Sequence, residues 1–435
     1  MVANTEIRKK DRDTIIQALR AGVVPRFGLH LIQVGRKLEV QALLSDIERI
    51  SEGGSAIRFI IGEYGSGKTF FLNLIRTIAM EKGLVTASVD LNPSRRLFST
   101  SGQSKSLYKE LARNLSTRAK PDGGALVGIV EKFIANTKKE VKGSSLTVED
   151  FIQQKLNPLT ELVCGFDFTQ VVTCYYQGFE DGNDELKNDA VKWLRGEFST
   201  KTDARKALGV RNIIDDATYY DQLKLLAKFI RISGYSGLLV CMDEMVNIYK
   251  LANTVARSTN YEQILRILND CLQGNTEGIG FVFGGTPEFY LDTRRGMFSY
   301  DALRSRLAQN SFSNGRYKDL SGPVIQLESL TPEDLYVLLA NINFVYASGK
   351  EENKVVPEEA LTVFMNYCSS RLGNNYFRTP RTTITAFINL LAILEQNKEA
   401  QWQELIGALE VQQDNGGIAE KDGVIEDDEL ATFRL

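Results

Sequence analysis

Apolar residues fall along this chain in two patterns. Short apolar runs bounded by turn residues read as buried strands: Ile57–Ile61, Leu84–Leu91, Leu238–Met242, Gly278–Gly285 and Val324–Leu327. Between them lie stretches with helical spacing. Residues 9–21 carry Ile15, Ile16 and Leu19 on one side, and Gly22-Val-Val-Pro25 ends that helix. His30–Arg36 reads as a short extended piece turning into a helix over Lys37–Ser51. Residues 103–116, Tyr219–Ile232 and Thr259–Cys271 are further helices; the last has Tyr261, Ile264, Leu265 and Leu268 at i, i+3, i+4, i+7.

Two helix starts are written in polar residues. Thr147-Val-Glu-Asp150 resembles a capping box with Asp in the Glu place. Thr331-Pro-Glu-Asp334 has an N-cap, a Pro at the first helical position and acids in the first turn. From there to about Leu409 the pattern is helical.

Strands alternating with helices predict an α/β fold, a parallel sheet sandwiched by helices. The expected domain map is 1–55, an N-terminal helical segment; 56–121 with 217–329, the sheet core; 122–216, a helical insertion broken at Gly143, Pro158 and Gly182; 330–409, a helical lid; and 410–435, an acidic tail. The length, 435 residues, exceeds what one core holds and agrees with several subdomains.

Composition removes several chemistries. Net charge is −3, which gives no global case for nucleic-acid binding. The charge is uneven: 410–435 carries −6, leaving +3 on 1–409. The single histidine, His30, reads as packed or half-exposed, and the five cysteines are scattered. A Cys/His zinc site and Ser–His–Asp catalysis are thereby excluded. Met1–Arg12 is polar and no apolar run reaches 18 residues, so the expectation is a cytoplasmic protein with no membrane span.

The chemistry sits where the first strand ends. Ile57–Ile61 runs into Gly62-Glu63-Tyr64-Gly65-Ser66-Gly67-Lys68-Thr69, which fits G-x-x-x-x-G-K-[ST], the phosphate-binding P-loop or Walker A motif. Glycines let successive N–H groups point at one anion, and the helix beginning near Phe70 adds its positive end. Lys68 is expected to reach the β- and γ-phosphates, and Thr69 to offer its hydroxyl to Mg²⁺. The run Leu238–Met242 ends in Asp243-Glu244, the Walker B pattern. There Asp243 is expected to hold Mg²⁺ and Glu244 to polarise the attacking water.

Three further positions follow. Thr286, after the strand Gly278–Gly285, either orients water or caps the next helix. Arg306, with Arg304 as second choice, is a candidate arginine finger. Arg381, with Arg378 as fallback, opens the lid helix Ile384–Leu394. No N-K-x-D guanine reader occurs, so ATP is the expected nucleotide and Mg²⁺ its ion.

The order of these features resembles an AAA+-type ATPase of the Orc/Cdc6-like initiator and clamp-loader side: Gly35-Arg36-Lys37-Leu38-Glu39, GEYGSGKT, LLVCMDE, FVFGGTPE, LRSRL and a lid helix opened by Pro-Arg. More closely, "LRAGVVP…VGR…IGEYGSGKTFFL" with "VFGGTPEFY" resembles the BrxD-type P-loop proteins of BREX phage-defence systems, over roughly residues 12–395. The resemblance implies Gly35 and Arg36 beside adenine, Thr286 near the sensor 1 position, Arg306 as finger and Arg381 as sensor 2. It also implies ATP and ADP as ligands, with assembly into a homo-oligomer or a hetero-complex with other defence proteins, and it leaves DNA association open.

Two features depart from that pattern. Thr69 and Asp243 stand 174 residues apart, a gap that the insertion accounts for, and where initiators usually carry a winged helix after the lid, the mostly acidic residues 410–435 follow here. The expected function is a nucleotide-driven switch or motor. The alternatives are an ATP-holding scaffold with little turnover and a replication-loader role.

Overall fold

A computed structural model describes residues 7–142, 145–313, 318–372 and 380–407, with five strands: β1 (Ser55–Ile61), β2 (Val85–Asp90), β3 (Leu238–Asp243), β4 (Ile279–Gly285) and β5 (Val324–Gln326). The inner strands β1, β3 and β4 are buried along their whole length, which is why they read as unbroken apolar runs rather than alternating ones. They form one sheet in the order β2-β3-β4-β1-β5. β2 and β3 run parallel with Val85 opposite Leu238 and Asp90 opposite Asp243; β3 and β4 run parallel with Leu238 opposite Ile279. Phe59 N–H donates to Pro323 and Leu327 N–H donates to Ile61, the stagger of a third parallel pair. The expected α/β sandwich of the P-loop NTPase type is therefore present. Gly143, Arg378 and the acidic segment 410–435 lie outside the described residues.

The chain divides into two compact units. One, the sheet unit, takes Val40–Ile60 and Ile75–Ile325. Its core carries the stack Phe59–Phe283–Phe281, with ring centroids 5.1 and 6.1 Å apart. The helices of 122–216 belong to this unit: Leu126–Val141, Val148–Leu156, Gly165–Glu180, Asp184–Leu194 and Lys201–Leu208. Phe168 meets Phe229 edge-on at 5.1 Å and Trp193 at 6.4 Å, while Phe133 meets Phe229 at 5.3 Å. Phe229 lies on the helix Tyr219–Ile232, so the insertion shares its aromatic core with that helix. The capping box at Thr147 forms, with Asp150 taking the Glu role. Pro158 sits within a 3-10 turn, Asn157–Leu159.

One charged residue interrupts the apolar reading of β1. Arg58 is buried with Asp46 of the helix Lys37–Ser51: Nε meets Oδ2 at 2.5 Å and Nη2 meets Oδ1 at 3.1 Å. The same guanidinium also donates to the Leu320 carbonyl at 2.9 Å and to that of Gly322. Removing one member of a buried, hydrogen-bonded pair strands the other, a loss of about 3–5 kcal/mol. Asp46→Ala is expected to lower unfolding stability by that order, read from a denaturant midpoint at unchanged slope.

The other, helical unit takes Met1–Glu39, Ile61–Leu74 and Gln326–Asp422. Its described helices include Lys9–Arg20, Pro332–Tyr346, Glu358–Leu372, Pro380–Gln396 and Trp402–Gly407. They share a core containing Ile15, Leu339, Ile342, Phe364 and Phe387. Arg12 ties the first helix to it, donating to the Tyr346 carbonyl at 2.7 Å and pairing with Glu395 at 2.9 Å. The Thr331–Asp334 capping box is present.

The extended reading of His30–Arg36 is corrected. Leu29–Ile32 is one helical turn, and four residues are too few to show a period. Leu29 and Ile32 are buried, whereas His30 is exposed rather than packed or half-exposed.

Candidate nucleotide-binding site

In the helical unit, the chain leaves β1 at Ile61 and turns through Gly62–Gly67 into the helix Lys68–Glu81. Gly67 has φ +88, a conformation costly for any residue with a Cβ, and nothing lies within 4 Å of where that Cβ would stand. Gly62 is required by close approach: a Cβ there would come within 2.5 Å of Ser66 Oγ. Ser66 is buried, and among the described residues its hydroxyl finds no partner. Phe71 N–H donates back to the Gly67 carbonyl at 2.9 Å, so the helix begins directly at the loop, its first amides facing outward along the axis. Lys68 Nζ curls over this loop and donates to the Gly62 and Glu63 carbonyls at 2.7 and 2.8 Å. An open cradle, a helix start and a lysine on its rim fit a polyphosphate.

The other loop positions divide between solvent and packing. Glu63, Tyr64 and Thr69 are exposed, and Gly65 is half-buried with φ +76. Phe70 packs against the core of the helical unit. Gly35 and Arg36 both take left-handed backbone, φ +58 and +60. Arg36 donates to the Ser66 carbonyl at 3.4 Å and to the Glu328 carbonyl, so this pair is tied to the phosphate loop itself. Burial pulls the Arg36 guanidinium below its ordinary value, against the opposing pull of Glu39, Asp334 and Glu328. Arg381, second residue of the helix Pro380–Gln396, lies over the Tyr64 ring at 5.6 Å and donates to Tyr64 Oη at 3.2 Å.

In the sheet unit, Asp243 ends β3 and is buried, while Glu244 is exposed. Glu244 has φ +59, unusual for a residue with a side chain and worth about 1–3 kcal/mol of strain. The surroundings hold it there. Its N–H donates to Asp243 Oδ1 at 2.8 Å, and Met245 N–H donates to the Gly284 carbonyl of β4 at 3.0 Å. Asn247 Nδ2 donates to the Leu91 carbonyl at 2.8 Å and to the Glu244 carbonyl at 3.2 Å. The turn after β3 is thus pinned on both sides, to β4 at Gly284 and to Leu91 just past the end of β2.

Thr286 caps the short helix Pro287–Leu291, its hydroxyl accepting from Phe289 N–H at 3.5 Å. Arg306 is exposed on the helix Asp301–Leu307, with bonds to Asn269 Oδ1 and the Ala302 carbonyl, both at 2.9 Å. Arg304 pairs with Asp301 at 2.8 Å.

Two residues of this region were not singled out from sequence. Asn247 has no motif around it. Asp90 had the same signal as Asp243, an acid closing an apolar strand, and stands opposite it in the register. Asp90 is exposed at the end of β2, yet the protein around its carboxyl displaces water, and this and then the Asp243 charge push the group up, with Arg95 and Arg76 pulling the other way. A carboxyl raised in the folded state favours folding while protonated, and that advantage fades as pH rises through its folded value. Asp90→Asn is therefore expected to raise the thermal midpoint at neutral pH. The gain should shrink as pH falls below the ordinary carboxylate range, where the wild-type group is itself neutral.

A glycine-bearing anion loop between a buried parallel strand and a helix, with an Asp-Glu closing another strand of the same sheet, defines a P-loop NTPase-like protein. Over residues 7–410 the chain matches the model of the BREX system ATP-binding protein BrxC/D family, and it belongs to that family. No curated protein matches it. Among the described residues, no helix is long and apolar enough to cross a membrane.

Proposed function

We propose that this chain is a Mg²⁺-dependent ATPase that uses its nucleotide state to switch its assembly, with copies of itself or with other BREX proteins. The observation that carries the reading is Glu244. A carboxylate held in left-handed backbone by bonds to β4 and to Leu91 just past β2 is costly to build, and a protein that only stored ATP has no use for it.

The roles follow from the side chains. Lys68 exchanges its bonds to the Gly62 and Glu63 carbonyls for bonds to phosphate oxygens. Thr69, through its hydroxyl, and Asp243, through its carboxylate, are the residues that would hold Mg²⁺, and the ion would supply charge neutralisation to the phosphates. Glu244 accepts a hydrogen bond from water and takes its proton as the water oxygen bonds to phosphorus and ADP leaves. Gly35 and Arg36, tied to the loop through the Ser66 carbonyl, lie beside the adenine, and Thr286 acts as sensor at the end of β4. Arg306 acts as finger toward a neighbouring copy, giving up its bonds to Asn269 and Ala302 to do so.

The test is calorimetry with ATP and ADP in magnesium buffer, followed by phosphate release and mass photometry with each nucleotide, with and without duplex DNA. Saturable ATP uptake, phosphate release and a mass distribution that differs between ATP and ADP support the proposal. No heat of binding for either nucleotide removes it; binding with no phosphate release leaves a scaffold. The DNA arm reports whether the assembly engages a duplex.

A further inference from the structure

The Gly22-Val-Val-Pro25 turn has no part in the chemistry above, yet the structure brings it against the lid. The helix Lys9–Arg20 ends in a Schellman pattern: Gly22 N–H donates to the Leu19 carbonyl and Val23 N–H to the Ala18 carbonyl, each at 3.0 Å. Gly22 takes φ +70, and its missing Cβ would stand 3.2 Å from Arg381 Cδ and 3.4 Å from Cγ. The arginine stem therefore runs along the bare side of Gly22. The guanidinium end is held by Tyr64, through the ring face at 5.6 Å and Oη at 3.2 Å.

Arg381 is not there for the helix it belongs to. A cation in the first turn opposes the helix dipole, a loss of about 0.3–1 kcal/mol, and this first turn carries no acid to offset it. Among the described residues its polar partner is Tyr64 Oη, a neutral group. A guanidinium has five N–H donors in a plane. Resting on a ring and giving one bond to a phenol leaves the opposite edge of that plane to take an anion bidentately. Tyr64 lies within the Gly62–Thr69 loop and is 51% exposed, so the held arginine stands at the phosphate loop.

We propose that Tyr64 and Gly22 are positioning residues that present Arg381 to the terminal phosphate, and that this clamp makes the site prefer a triphosphate over a diphosphate. The inference rests on the ATPase reading above. Gly22 gives the stem its track, and Tyr64 sets the height and tilt of the guanidinium over the loop. The γ-phosphate is the only part of ATP that ADP lacks, so an arginine held to meet it reads the difference between the two.

The test is a double-mutant cycle on the full chain: Tyr64→Leu, Arg381→Ala and the two together, with Tyr64→Phe as the conservative variant. Equilibrium titrations use ADP and a non-hydrolysable ATP analogue, both with Mg²⁺. Tyr64→Leu is expected to weaken the triphosphate about three- to tenfold more than it weakens ADP, the size of a ring contact plus one bond to a charged donor. Tyr64→Phe keeps the ring and should recover part of that loss. In the Arg381→Ala background, Tyr64→Leu should have no further effect. Equal weakening of both nucleotides, or the same factor with and without Arg381, overturns the clamp and makes Tyr64 a direct nucleotide contact or a loop support. A wild-type chain that binds neither nucleotide overturns the ATPase reading instead, and the clamp with it. Thermal midpoints of all variants separate these outcomes from loss of fold.

Discussion

Glu244→Gln is expected to lower ATP turnover by about 10²–10⁴-fold while leaving the nucleotide dissociation constant within about twofold. The substitution keeps the shape of the side chain and its backbone conformation. It removes only the ability to take a proton from water. Glu244 is exposed at the end of β3, and its own N–H bond goes to Asp243 Oδ1. The bonds that pin the turn on both sides come from the Met245 N–H and from Asn247 Nδ2, and an amide of the same shape at 244 leaves both in place. Single-turnover phosphate release against calorimetric affinity separates the two quantities. A scaffold that merely stores ATP predicts equal turnover in both proteins, and that result would sink the hydrolytic role.

The backbone around Glu244 also shows where sequence reading stops. The strand and its closing acids are legible because a central parallel strand is buried on both faces and must be apolar up to the sheet edge. The left-handed turn is not legible, since Glu244 has no glycine-like signature and is held by a bond from Asn247 to Leu91, 156 residues earlier. Arg58 is a similar case. Within an apolar run it reads as an intruder, and only the fold shows Asp46 waiting behind it. Gly22 is legible as a helix terminator but not as the track for Arg381, which comes from the other end of the chain. Local signals carry the capping boxes at Thr147 and Thr331 completely, because each closes within four residues. What escapes the sequence is what depends on partners brought together by the sheet and the helical core.

Lys68→Ala should have the largest effect on binding, weakening ATP on the order of a hundredfold. An ammonium on two phosphate oxygens contributes charge-assisted bonds of about 1.5–3 kcal/mol each in gross terms, and each 1.4 kcal/mol is tenfold. The lysine already gives its hydrogens to the Gly62 and Glu63 carbonyls, so part of that gain is offset by bonds it must release. Ligand-linked stability makes the prediction visible without an enzyme assay. At ligand a hundredfold above the dissociation constant, a bound nucleotide adds about 2.7 kcal/mol to unfolding free energy; after a hundredfold loss of affinity it adds about 0.4 kcal/mol. Thermal melts of wild type and Lys68→Ala with and without MgATP should therefore show a clear upward shift in the first and almost none in the second. The nucleotide-free midpoints should stay close, since Lys68 is half-exposed and the loop's glycines set its backbone. Equal shifts in the two proteins would mean that ATP does not sit on this loop.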